Sequence, residues 1–147
     1  MNTLELLKQE HEDIERELLE MEAIINAGSI NYSNLVHVFK NLVNFWNDHE
    51  DKEERIFPIM KKEKIIIPVK KMQFDHRDLR VHKKAIMDAL ETGKGIREAL
   101  DNNCGIIVNK LRKHIEDEDQ VLYTIALSEF SDKEIEEMAS VAGIKNN

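Results

Sequence analysis

Long apolar runs, basic excess, cysteine and helix breakers are all scarce in this chain. No apolar stretch approaches the roughly 20 residues that a membrane-spanning helix needs, so no membrane association is expected. Lys and Arg total 21 against 29 Asp and Glu, and the net charge of -8 excludes the basic surface that non-specific binding to nucleic acid or an anionic membrane requires. A lone cysteine, Cys104, permits no internal disulfide and reads as a small core or surface residue. The opening Met1-Asn2-Thr3-Leu4-Glu5 lacks the basic start and apolar core of a signal peptide, which points to a cytoplasmic protein. With only 5 Gly and 2 Pro, and apolar spacings of three and four throughout, no segment reads as a strand. The class is all-α.

What is present is a set of amphipathic helices. With 41% hydrophobic residues in 147, the chain can bury one core. Asn2 and Glu5 form a capping box, followed by the stripe Leu4, Leu7, His11, Ile14, Leu18, Met21 and Ile25, which Gly28 stops. A second helix follows Asn31 with Leu35, Val38, Leu42, Phe45, His49, Glu53, Ile56 and Met60 on one face, and Pro58 should kink it or end it within a turn or two. Ile65-Ile66-Ile67 reads as a packed connector, with Pro68 as the first residue of a third helix carrying Val69, Met72, His76, Leu79, Ile86 and Leu90. A fourth begins near Ile96 and carries Leu100, Ile107, Leu111, His114, Glu118, Val121 or Leu122, and Ile125; Asn102-Asn103-Cys104-Gly105 weakens it. Ser131 and Glu134 cap a short fifth helix whose apolar face is Ile135, Met138, Ala139 and Ala142. Four long helices with short connections give an up-down-up-down four-helix bundle over 1–128, with the short C-terminal helix of 129–147 packed on it.

Each long helix places one histidine on its core stripe, and two of them add a glutamate one turn later. Residues four apart on a helix are offset by about 40° around the axis and about 6 Å along it, so His49 with Glu53, and His114 with Glu118, are two-ligand clips. A single core histidine is most simply a hydrogen-bonded packing residue. His11, His49, His76 and His114, four of the six histidines, buried with two carboxylates make a poor core unless a cation compensates them. Four nitrogens and two carboxylates suit two first-row metal ions bridged by the carboxylates, iron first and manganese second. A closed zinc site would more typically bring thiolates, which are missing.

These residues resemble the hemerythrin family, in its HHE cation-binding branch. The resemblance lies in Glu10-His11-Glu12, in His49 to Glu53 followed by Ile56-Phe57-Pro58, in Asp75-His76-Arg77 with Leu79-Arg80, and in His114 to Glu118. It implies a non-haem di-iron centre with His11, His49, His76 and His114 as terminal ligands and Glu53 and Glu118 as bridges. Oxygen-carrying members have two histidines four apart in the third helix, whereas Arg80 stands four after His76. His82, six after His76, reads as a surface or supporting residue. Those carriers also space the fourth-helix pair by five, through an overlong, π-like turn, which would select Asp119; a regular helix favours Glu118. Glu15, four after His11, reads as solvated, as do His37, Glu10, Glu50 and Glu54, some of the carboxylates being placed to orient ligand imidazoles. Tyr123, placed to approach the site from one turn above, is read first as a structural phenol, and Trp46 and the phenylalanines read as core.

The expected function is the binding or sensing of a small diatomic ligand, oxygen or nitric oxide, with any signal passed to a protein partner. The alternatives are a di-iron redox enzyme, reducing peroxide or repairing iron centres, and iron handling.

Overall fold

The computed structural model describes residues 2–63 and 65–144, so Met1, Lys64 and 145–147, which include both outer limits expected for the bundle and its C-terminal helix, lie outside the described residues. Four long helices dominate: α1 (Thr3–Ile25), α2 (Tyr32–Glu63), α3 (Ile66–Thr92) and α4 (Ile96–Asp117). A π-helical turn, Glu118–Leu122, carries α4 without a break into α5 (Tyr123–Glu129), and α6 (Asp132–Ala142) follows. The described residues contain no strand, and each long helix packs on its chain neighbours with α1 against α4, which closes an up-down-up-down bundle.

The helix ends are set by local chemistry. Asn2 accepts from the Glu5 N–H while the Glu5 carboxylate accepts from the Asn2 N–H, and Ser131 with Glu134 does the same for α6. The Asn31 side chain accepts from the Asn34 N–H at the start of α2. Gly93 ends α3 in a left-handed conformation, φ 70°, that a residue with a Cβ would adopt only under strain.

Several details differ from what the sequence suggests. α3 begins at Ile66, so Pro68 is its third residue; the first four N–H groups of a helix have no partner within it, so proline is tolerated there. Only Ile65 of the connector is packed, and its N–H bonds to the Met60 carbonyl, while Ile66 and Ile67 face outward. Asn102–Gly105 leaves α4 unbroken, because Cys104 fits the core and the Asn103 amide donates to the Ala99 carbonyl. The buried arc of α2 centres on Leu35, Leu42, Glu53 and Met60; Trp46 is buried as expected, whereas Phe45, like Phe74 of α3, is exposed rather than part of the core. After the π turn the α5 face shifts by a residue: Leu122 and Ala126 are buried where Val121 is exposed and Ile125 half-buried.

The core has two apolar ends with a polar layer between them. One cluster joins Ile14, Leu18, Leu42, Trp46, Leu79, Leu111 and their neighbours; the other joins Leu4, Leu7, Ile56, Phe57, Val69, Met72 and Leu122, and is closed by Ile135, Met138 and Ala142 of α6. His11, His49, His76 and His114 fall between these clusters on their helices. Burying large apolar side chains at about 1.5–3 kcal/mol each on both sides of the layer holds it dry and in register.

Candidate metal centre

The structure brings the six sequence-selected residues to one place. His11, His49, Glu53, His76, His114 and Glu118 are all buried. Every imidazole has its outer nitrogen on a carboxylate from a different helix: His11 Nδ1 on Asp119 (2.9 Å), His49 Nδ1 on Glu10 (3.0 Å), His76 Nδ1 on Glu54 (2.8 Å) and His114 Nδ1 on Asp75 (3.0 Å). An ionised carboxylate only accepts, so each Nδ1 carries a proton, and in the neutral imidazole each inward Nε2 presents a lone pair. This arrangement fixes ring orientation and raises the basicity of the inward nitrogen.

Inside the ring, two groups of four share both glutamates: His11, His49, Glu53 and Glu118, and Glu53, His76, His114 and Glu118, each with donor atoms within 4.8 Å of one another. Glu53 Oε1 lies 3.3 Å from His49 Nε2 and 3.4 Å from His76 Nε2, and Glu118 Oε1 lies 3.1 Å from His11 Nε2 and 3.4 Å from His114 Nε2. Each carboxylate therefore stands between two imidazoles of different groups. His11 Nε2 and His49 Nε2 are 2.9 Å apart, a contact two lone pairs cannot make without a proton or a cation. His114 Nε2 and Glu118 Oε2 accept or donate no hydrogen bond although both are buried. Inward lone pairs, a crowded nitrogen pair and orphaned donor atoms are the chemistry of a donor set that fits metal ions.

Without a metal, protons compensate the charge. Burial opposes the imidazolium of His49, but the Glu53, Glu10 and Glu118 carboxylates outweigh it and hold its pKa well above the usual range. The same balance brings His76 to about 9 and His114 to about 10, and raises His11. Burial would raise Glu53, yet the surrounding imidazoles hold it well below the ordinary carboxylate value.

The layer is built twice. Adding 65 to the residue numbers of Glu10, His11, His49, Glu53 and Glu54 gives Asp75, His76, His114, Glu118 and Asp119, so the α1–α2 half and the α3–α4 half supply the same parts in the same order. The His11–His49 rings lie 4.5 Å apart at 60° and the His76–His114 rings 4.8 Å apart at 65°. The π turn breaks the repeat by one residue. The Tyr123 N–H bonds to the Glu118 carbonyl, so Tyr123 sits five after Glu118 where Phe57 sits four after Glu53. Phe57 stacks on His76 at 5.6 Å, and Tyr123 stacks on His11 at 5.7 Å. Tyr123 Oη also donates to Glu53 Oε2, whereas Phe57 has no hydroxyl to offer the equivalent Glu118 Oε2, which is left without a partner.

Glu118 faces inward and the neighbouring Asp119 points to His11 from outside, so the overlong turn is present without exchanging the two carboxylates. His82 bonds to Asn103 and His37 is exposed, both away from the layer; Glu15 is turned to Arg112. Glu50 is a correction: expected on a solvated face, it is buried, with Arg80 Nη2 at 2.5 Å from Oε1. Glu10 and Glu54 are half-buried rather than solvated. Tyr123 is more than a structural phenol, because the π turn rotates its hydroxyl onto Glu53.

A model of the hemerythrin HHE cation binding domain matches residues 2–126. No curated protein and no solved structure gives a significant match to the chain. The match spans most of the sequence, and the chain belongs to the hemerythrin HHE cation-binding family.

Proposed function

We propose that this hemerythrin-family chain holds two iron ions, with manganese as the second choice, and uses them to bind or sense a small diatomic ligand, oxygen or nitric oxide. The observation that carries this reading is the sharing of Glu53 and Glu118 between two histidine pairs. His11 and His49 would serve one ion, His76 and His114 the other, with both carboxylates as bridges. A bound ferrous pair supplies open coordination positions and up to two electrons to a small ligand.

The chain's own residues do the rest. Asp119, Glu10, Glu54 and Asp75 keep the Nδ1 protons in place and the Nε2 lone pairs inward. Arg80 stands where the oxygen carriers of the family have a further histidine, so the layer offers fewer protein donors than those carriers do. The two apolar clusters exclude bulk water. A groove of about 640 Å³ between α1 and α4 reaches His11 and Asp119; Leu19 and Ile115 line it together with charged side chains such as Lys8, Glu12, Glu15 and Arg112, and it offers a small ligand a path to the layer. Tyr123 places a hydroxyl at the layer, where it holds Glu53.

Metal content and an absorption spectrum before and after air is admitted, on protein purified without oxygen, test the reading. About two irons per chain and a reversible oxygen- or nitric-oxide-dependent band are expected. Irreversible oxidation with peroxide turnover would make the protein a redox enzyme instead, and a chain that folds and retains no metal would return the four histidines to a purely structural role.

A further inference from the structure

The α1/α4 and α2/α3 seams occupy equivalent places in the repeated halves, and their innermost residues differ in kind. Adding 65 to Glu50 gives Ile115; both are 5% exposed, and both line one small void beside His49, Glu53, His76, His114 and Glu118. Ile115 continues outward into the α1/α4 groove, and Glu50 into a pocket of about 360 Å³ that also holds Asp51, Glu54, Arg80 and Lys83. Isoleucine fills this position at one seam, so packing alone does not call for a carboxylate at the other. Burying a carboxylate is costly unless its charge is used or matched.

Glu50 is matched by ion pairs alone. Neither of its oxygens accepts a hydrogen bond. Arg80 Nη2 approaches Oε1 at 2.5 Å without hydrogen-bond alignment, and Lys83 Nζ stands 3.9 Å from Oε2. Arg80 also lies 3.6 Å from Glu54, and its side chain is 47% exposed. A cation free to swing into solvent thus covers a buried carboxylate that is not. Glu50 and Glu54 can bring donor atoms within 4.8 Å of each other and of His76, whose Nδ1 is already committed to Glu54. Glu50 and Glu53 are three apart on α2, neighbours on one helix face, so the outer carboxylates lead directly to an inner one.

We propose that Glu50 and Glu54, beneath the Arg80 guanidinium, form a transit site through which a divalent cation passes from the α2/α3 pocket to the inner histidine and carboxylate layer. The inference rests on the metal-holding reading above. An arriving ion exchanges with Arg80 as the partner of the two carboxylates, and Arg80 closes over them again once the ion has moved inward to Glu53. The α2/α3 seam then carries ions inward on Glu50, whereas the α1/α4 seam, charged at its rim, presents Ile115 at the same depth and has no carboxylate there to pass an ion on.

The test is stopped-flow uptake of cobalt(II), followed by visible absorption, in the metal-free full chain, with release to excess EDTA. Glu50→Gln, which keeps shape and removes charge, should slow uptake at least tenfold and still end at the wild-type ion count. Arg80→Gln, on a half-exposed side chain whose loss leaves the core intact, should speed both uptake and release severalfold. Glu12→Gln, on the rim of the other groove, should change neither. Wild-type uptake by Glu50→Gln overturns the transit site, as does equal slowing by Glu12→Gln, which would signal a general charge effect. An endpoint one ion lower in Glu50→Gln also overturns it, by making Glu50 a resident ligand. A wild-type chain that takes up no cobalt overturns the metal reading and this inference with it.

Discussion

Moving one hydroxyl across the repeat probes the layer with minimal change of volume. Tyr123 donates to Glu53 Oε2, and the equivalent Phe57 leaves Glu118 Oε2 without a donor. In the metal-free protein, Tyr123→Phe deletes a hydrogen bond to a buried carboxylate, a loss of about 1.5–3 kcal/mol. For a chain of this size each kcal/mol corresponds to roughly 2–4 °C in Tm, so a fall of about 3–12 °C is expected. Phe57→Tyr should offset part of this in the double variant by supplying Glu118 Oε2, although added volume in a packed core costs about 1–3 kcal/mol. Thermal unfolding of EDTA-treated protein, followed by circular dichroism, measures all three variants. In metal-loaded protein the Tyr123→Phe loss should shrink, because the cations then compensate Glu53. A Tyr123→Phe Tm within about 1 °C of wild type in the metal-free state would refute the reasoning, since it would mean that Glu53 does not depend on the phenol.

His49→Ala or Glu53→Ala should lower bound metal per chain, whereas His37→Ala, at an exposed position, should not; equal retention in all three, measured by elemental analysis, would sink the ligand assignment. Asp75→Asn should weaken metal affinity by about 10–100-fold with the fold intact, because the amide cannot hold the His114 Nδ1–H as a carboxylate does; competition with a chelator reads the change. Metal-free protein should be most stable between about pH 4.5 and 6.5. His76 and His114 are raised from 6.5 to about 9 and about 10, so their contribution is complete below 6.5 and is lost as pH climbs through 9 and 10. Glu53 is lowered from 4.5, so its contribution is complete above 4.5 and declines as pH falls below that. A flat Tm from pH 6 to pH 10 would contradict the imidazolium assignment.

Much of this arrangement is legible in the chain because local and global signals agree. The capping boxes at Asn2 and Ser131, the three-and-four spacing of Leu4 to Met21, and one histidine per stripe select the helices and the polar layer. What escaped depends on rotation within a helix or on residues outside the stripe. Phe45 lies on the apolar stripe of α2 and still turns outward, beside a Trp46 that is buried, and only packing decides that. Glu10 and Glu54 look like ordinary surface acids until the bundle lays each beside the histidine of another helix. The same holds for Glu50, which follows His49 and is buried beneath Arg80. The 65-residue offset could have been found by comparing the chemistry-bearing positions of the two halves, but the intervening residues differ enough to hide it. The π turn had a visible motive in the ambiguity between Glu118 and Asp119, and no sequence marker of its own.

That turn also acts as a phase shifter. Each helical residue advances the face by about 100°, so the extra residue between Glu118 and Leu122 resets which side of the rod points inward. Upstream, the phase is fixed by His114 and Glu118; downstream, by Leu122, Ala126 and Phe130, which join the apolar cluster that α6 closes from its seat on α2 and α1. One rod thus carries two registers: the upstream one aims His114 and Glu118 inward, and the downstream one seats an apolar face while delivering the Tyr123 hydroxyl back to Glu53.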